Sequence, residues 1–354
     1  MTRLEECGRK VELVRAMLCE KGLDGVIIKK QPNFSWITAG GRGFIGLASE
    51  AACGSVVVTA DGVYLAANNI ESPRLLAEEL PARFAEPITL LWEEDSGMDA
   101  MLRQKLGKLA DDGELDAWFR QERVNLMDSE VERFASAGAS VAEILENNCL
   151  TLIPGTSELE IAGAISRDLW AAGSEPITLL IAADDRSEHF RHYVPTGKVV
   201  KRGVICSLCA RVGGLVVSAT RSVAFGKWGF AQRYGALLQV ERAAFDATAP
   251  GVKLGEALGK IKSAYAQNGL DGEWKNHHQG GMTGYLAREV RVDGDCQKVA
   301  QSNQAFAWNP SVVGAKCEDT VLLQKEGIRV LTPPSDRWPA VKVGELLRPD
   351  VLRK

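Results

Sequence analysis

Residues 192–222 read HYVPTGKVVKRGVICSLCARVGGLVVSATRS, two apolar, valine-rich runs on either side of Gly213-Gly214. That is the pattern of two strands joined by a tight turn. Downstream stand HHQGGMTGY at 277–285 and AWNPSVVGAKCEDT at 307–320. An internal repeat frames them: IPGTSELEIAGAISRDLWAAG at 153–173 aligns without gaps to APGVKLGEALGKIKSAYAQNG at 249–269. Pro154/Pro250, Gly155/Gly251, Glu160/Glu256, Gly163/Gly259, Ile165/Ile261 and Gly173/Gly269 are identical. Matching residues on a shared turn-then-helix frame indicate two structural halves.

In this order and at these spacings, the three segments resemble the catalytic half of the pita-bread family, which contains methionine aminopeptidase, Xaa-Pro aminopeptidase and prolidase, and creatinase. The resemblance implies a pseudo-twofold domain with a cleft between its halves. In the metal-dependent members five ligands run Asp, Asp, His, Glu, Glu. Carried over, they fall on Ser207, Ser218, His278, Asn309 and Glu318. Two of the five keep a ligating side chain of the family's kind. A single carboxylate would then face the four positive charges of two divalent ions, a deficit too large to ignore because a bound ion is the dominant local charge. His278 and Glu318 also fall short of the three protein ligands usual at catalytic zinc. The expectation is therefore no cofactor and no metal ligands, with manganese, cobalt or zinc entering only under an alternative reading.

Ahead of this half, Thr2-x-x-Glu5 is a capping box for a helix that should stop at Gly22, and an apolar DGVIIKK strand follows. Asp61-Gly62 in GSVVVTADGVYLAAN marks a hairpin. The words LDGVIIKKQPNFSWITAG resemble the amino-terminal α/β module of creatinase and the Xaa-Pro peptidases. Ser129-x-x-Glu132 opens another helix, so the domains are drawn as 1–126, creatinase-like α/β, and 127–354, pita-bread, in an α/β (α+β) chain.

Bulk properties exclude several classes of function. At 354 residues, two cores can be buried. A formal charge of −4, with both signs interspersed, offers no basic field for nucleic acid. No apolar run reaches transmembrane length, and the charged first twenty residues are unlike a signal peptide. Eight cysteines without a secreted framework point to reduced thiols in the cytoplasm. Cys206 and Cys209 lie three apart in a strand, on opposite faces, which argues against a redox or zinc pair.

The chain has four histidines: His189, His192, His277 and His278. His192, in the H-Y-x-P context of a substrate-contacting histidine in the pita-bread enzymes, is the candidate proton shuttle, since imidazole titrates near neutrality. His278 and Glu318 complete the candidate catalytic set, a carboxylate being able to orient an imidazole. Ser207, Ser218 and Asn309 would shape the cleft. Tyr285, Arg288 and Glu289, resembling creatinase's continuation, would bind substrate, as would Arg42 of the amino-terminal domain. The reading this assembles is a metal-independent, creatinase-like hydrolase of a C–N bond in a small molecule or short peptide, a homodimer as its relatives imply. Two alternatives stand beside it: an Xaa-Pro metallopeptidase with an atypical site, and a non-catalytic binding protein that keeps the cleft.

Overall fold

A computed structural model describes residues 1–226 and 231–354. It divides into two compact units, Met1–Arg123 with Gly213–Leu215, and Val124–Val212 with Val216–Lys354.

The first unit opens with the helix Arg3–Lys21, whose Thr2 Oγ1 accepts from the Glu5 N–H while Glu5 accepts from the Thr2 N–H at 2.7 Å. Gly22, at φ 61°, ends it in the left-handed conformation that glycine adopts without strain. The apolar run becomes the strand Gly25–Lys30, between Ala51–Thr59 (antiparallel) and Leu109–Asp111 (parallel) in a five-stranded sheet. Ile27, Val57, Leu102 and Leu109 form its core.

The second unit is built twice over. Its first half runs helix Asp128–Thr151, helix Glu158–Ala171, then strands Glu175–Ala183, Gly203–Val212 and Leu215–Ala224. Its second half runs helix Ala231–Ala247, helix Leu254–Gln267, then strands Gly280–Thr283, Gln304–Trp308 and Asp319–Gln324. In the sheet the six strands lie first, second, third of the second half, followed by third, second, first of the first half. The order is palindromic about the junction where Asp319 pairs with Ala219, so the sheet has a pseudo-twofold at its centre. It is a curled, antiparallel half-barrel with helices against it, the α/β pita-bread architecture.

The repeat is reproduced bond for bond. The Gly155 N–H donates to the Val200 carbonyl and that of Gly251 to the Ala300 carbonyl; the Val200 N–H donates to Thr156 and that of Ala300 to Val252. The glycines stand at φ 96° and 86°, and those that end the two helices, Gly173 and Gly269, at 71° and 70°. Those backbone angles explain why glycine recurs at both pairs.

One difference between the halves bears on function. Where the second helix starts with buried Leu254, its counterpart starts with buried Glu158. That carboxylate accepts from the Ala183 N–H (2.8 Å), from the N–H and hydroxyl of Thr196 (2.8 and 2.7 Å) and from Arg186. Burial opposes its charge, but Arg186 and these donors hold its pKa below the ordinary carboxylate value. Glu158 thereby fastens the connection that carries His192 at Ala183 and at Thr196, on either side of that histidine.

Candidate active site

Alternation along an extended strand sends Ser207 and Cys209 to one face. They meet Thr220 and Ser218 of the neighbouring strand there, with Ser207 Oγ 2.7 Å from Thr220 Oγ1 and Cys209 Sγ 3.3 Å from Ser218 Oγ. Cys206, one residue before Ser207, falls on the opposite side of the strand. Ser207 and Cys209 border a cavity of about 310 Å³, whose other walls are Thr178, Leu180 and Leu208 with His192, His278, Ala287, Arg288, Asn309, Lys316 and Glu318.

Four of the five positions carried over from the metal-dependent relatives thus share one cavity, while Ser218 stands one residue pair behind it, on Cys209. The Glu318 carboxylate is bracketed: Lys316 Nζ is 2.8 Å from Oε2 and Arg288 Nη2 donates to Oε1 at 2.7 Å. Burial disfavours its charge, yet the two cations hold its pKa down at about 2. Among the residues that line the cavity, three buried polar atoms have no hydrogen-bond partner: Arg288 Nε, His278 Nδ1 and Asn309 Oδ1.

Beside this group His192, His277 and His278 each bring one ring nitrogen within 4.8 Å of the others. His277 Nε2 lies 3.2 Å from His192 Nε2, and Ser311 Oγ lies 3.3 Å from His277 Nδ1, which leaves the Nε2 edge facing His192. Burial, reinforced by Lys316, depresses His277 to about 3; burial, reinforced by Arg288, depresses His278 to about 4. Both are therefore neutral near pH 7, the form in which imidazole binds a metal.

The five-position set does not fit a pair of ions, because its acids are replaced at three places and Glu318 is already occupied by two internal cations. The histidine trio does fit one ion: three nitrogen donors is the protein ligand count of a catalytic site.

The remaining candidates lie elsewhere. The Tyr285 hydroxyl is 2.5 Å from Glu130 Oε1, and Glu289 accepts from the Tyr285 and Leu286 N–H groups at 3.1 Å each, so both shape a buried turn. Arg42 belongs to the first unit, where its backbone N–H and its Nε both donate to Glu79. His277 and Lys316 were missing from the sequence-derived set. Lys316 stands two residues before Glu318, a spacing that in extended chain brings side chains to one side, and the neighbouring histidine of a pair was open to the same scrutiny.

A two-halved sheet with this cavity on it defines a peptidase-like hydrolase of the pita-bread class. The model for metallopeptidase family M24 matches residues 132–325, and the chain belongs to that family. It is 25% identical over 220 residues to a protein named as a probable dipeptidase PepE of Mycobacterium tuberculosis, covering 59% of this chain and 58% of that protein's length. It is 22% identical over 347 residues to an Xaa-Pro dipeptidase of Pyrococcus horikoshii, covering 91% and 96%. The solved prolidase of Pyrococcus horikoshii superposes with a TM-score of 0.77 at 20% identity, over 93% of this chain and 99% of the prolidase, and shares the fold. No helix among the described residues is long and apolar enough to cross a membrane.

These findings correct two expectations. The metal-independent, creatinase-like mechanism and the absence of any cofactor are overturned by membership of a metallopeptidase family, by the dipeptidase names of the relatives and by the three-histidine cluster. Counting acids at the family's five positions was sound for two ions, but it left out His277 and the approach of His192, which the fold brings together across 85 residues.

Proposed function

We propose that the chain is a metal-dependent dipeptidase of the Xaa-Pro type, working with an atypical, single-ion site on His192, His277 and His278. The observation that carries this reading is the trio itself, two of whose members line the cavity of a metallopeptidase-family domain. A divalent ion held there would supply Lewis-acid polarisation of a substrate carbonyl. The chain's own groups do the rest. Ser311 fixes the ring of His277, and Glu158 anchors the His192 connection at Ala183 and Thr196. Thr178, Leu180, Leu208 and Ala287 offer a mostly apolar wall to a side chain or a proline ring. Hydrogen-bonding capacity at Arg288 Nε and Asn309 Oδ1 stays open for substrate. A cavity of about 310 Å³ suits a dipeptide-sized molecule. The same reading carries a cytoplasmic homodimer; light scattering of the purified protein checks the dimer, and fractionation of cells that express it checks the location.

The test is elemental analysis of freshly purified protein beside hydrolysis of a dipeptide panel, Xaa-Pro and proline-free, with and without chelator. About one ion per chain and chelator-sensitive cleavage are expected. Cleavage indifferent to chelator would sink the reading, and one bound ion without turnover of any peptide would mark a binding protein instead.

A further inference from the structure

The cavity holds more positive charge than its one acid can balance. Lys316 and Arg288 both pair with Glu318, and no other carboxylate lines the cavity among the described residues, so this group carries a net charge of +1. Lys316 is 5% exposed and lines the cavity in company with His192 and His278. An ammonium has three N–H donors. One is directed to Glu318. Glu318 in turn locks the ammonium in place, because Arg288 holds its other oxygen. A buried, oriented cation with spare donors is an arrangement suited to charge that appears during a reaction and is absent before it.

We infer that Lys316 is a catalytic residue, a resident second cation that receives the oxyanion formed on a substrate's scissile carbonyl. The inference rests on the dipeptidase reading. In the step it serves, a water oxygen bonds to the amide carbon and the carbonyl π pair moves to oxygen, where the Lys316 N–H donates. Collapse restores the carbonyl and breaks the C–N bond, and a proton from the water ends on the departing amine. The place that Ser207, Ser218 and Asn309 would leave without a second metal ion is thus served by a side chain. Arg288, on the far oxygen of Glu318, acts by positioning.

The experiment pairs kinetics with binding on the full-length protein, for wild type, Lys316→Met, Lys316→Gln, Lys316→Arg and Arg288→Met. Two probes are titrated calorimetrically: a phosphinic Xaa-Pro isostere, whose tetrahedral phosphorus bears anionic oxygens, and the neutral ketomethylene isostere. Loss of an oxyanion donor lowers kcat about a hundredfold to a thousandfold. Lys316→Met and Lys316→Gln should show that loss with KM and metal content unchanged, Lys316→Arg should recover part of it, and Arg288→Met should lose less. The phosphinate should weaken with the kcat loss while the ketomethylene compound binds as before. Wild-type cleavage that survives Lys316→Gln overturns the inference and leaves the dipeptidase reading standing. A wild type that cleaves nothing, yet binds phosphinate in a Lys316-dependent way, removes the dipeptidase reading and keeps the cation site. Equal affinity for the two probes in the wild type overturns the inference whatever the turnover, and the Gln and Arg variants cover the case in which Lys316→Met does not fold.

Discussion

Glu318 and Asp319 are adjacent carboxylates, each gripped by two cations, and they face opposite sides of one sheet. Asp319 accepts from Arg221 Nη1 at 3.0 Å and from Arg348 Nη2 at 2.5 Å. Those arginines continue to Glu146 at 2.6 Å and Glu241 at 2.8 Å, giving a buried row of alternating charges. Glu318 has the same immediate surroundings in Lys316 and Arg288, but its row stops there and opens on a cavity. Sign alternation carried to acidic ends is architecture. An unfinished row beside empty volume is a site for a ligand.

The largest effect that could break this contrast is thermodynamic. Asp319→Asn removes the carboxylate that two buried guanidiniums share, leaving each with a single acidic partner, and removing one partner of a buried ionic group costs about 3–5 kcal/mol, so urea denaturation should show a loss of that order. Glu318→Gln leaves its cations beside a space that water can enter, and the loss should be about 1–3 kcal/mol. Equal losses would erase the distinction between the two faces.

Metal binding sharpens the comparison next. His277→Ala should weaken a titrated divalent ion by more than about tenfold, equivalent to about 1.4 kcal/mol, while Asp319→Asn, in whatever fraction stays folded, should bind it as the wild type does. Competition with a chromophoric chelator measures both. An ion held equally well without His277 would show that the trio is not its site.

The acid dependence of stability gives a third, smaller effect. The folded pKa of Glu158 lies below its ordinary value of 4.5, so its contribution is fully present above about pH 4.5 and is lost as pH falls through the depressed folded value. Glu158→Gln should flatten the fall of stability across that acid range, by thermal melts at stepped pH. An unchanged slope would mean that other carboxylates govern it.

Smallest is the test of the two halves. Gly155 and Gly251 share a positive φ with no neighbouring atom within 4 Å of an added Cβ, so an alanine meets only backbone strain. Each substitution should cost about 1 kcal/mol, and the two costs should agree. A difference well beyond that figure would show that the halves bear load unequally.

Much of this architecture could be read before any coordinates. The repeated Pro-Gly turns and helix-ending glycines are local signals, set by backbone angles that few other residues accept, and Thr2-x-x-Glu5 states its own cap. The pita-bread architecture followed from them and from the three segments. The cavity was legible in part, because Ser207, His278, Asn309 and Glu318 belong to one familiar order. What could not be read was pairing at a distance. Nothing in the local text says that Lys316 turns back on Glu318, that Tyr285 reaches Glu130, or that His192 and His277 meet at 3.2 Å. Such meetings depend on strand register and on the path of the connections.

The palindromic sheet has a consequence for how chemistry can be written into it. Two identical subunits related by a twofold axis must present the same residues at equivalent points, so any site on that axis is built of matched pairs. Joining both halves in one polypeptide lifts the obligation. The connection between the first and second strands carries His192 in one half and Arg288 in the other, and equivalent helix starts are Glu158 and Leu254. The scaffold keeps the economy of symmetry, and the centre it surrounds is free to have a left hand and a right.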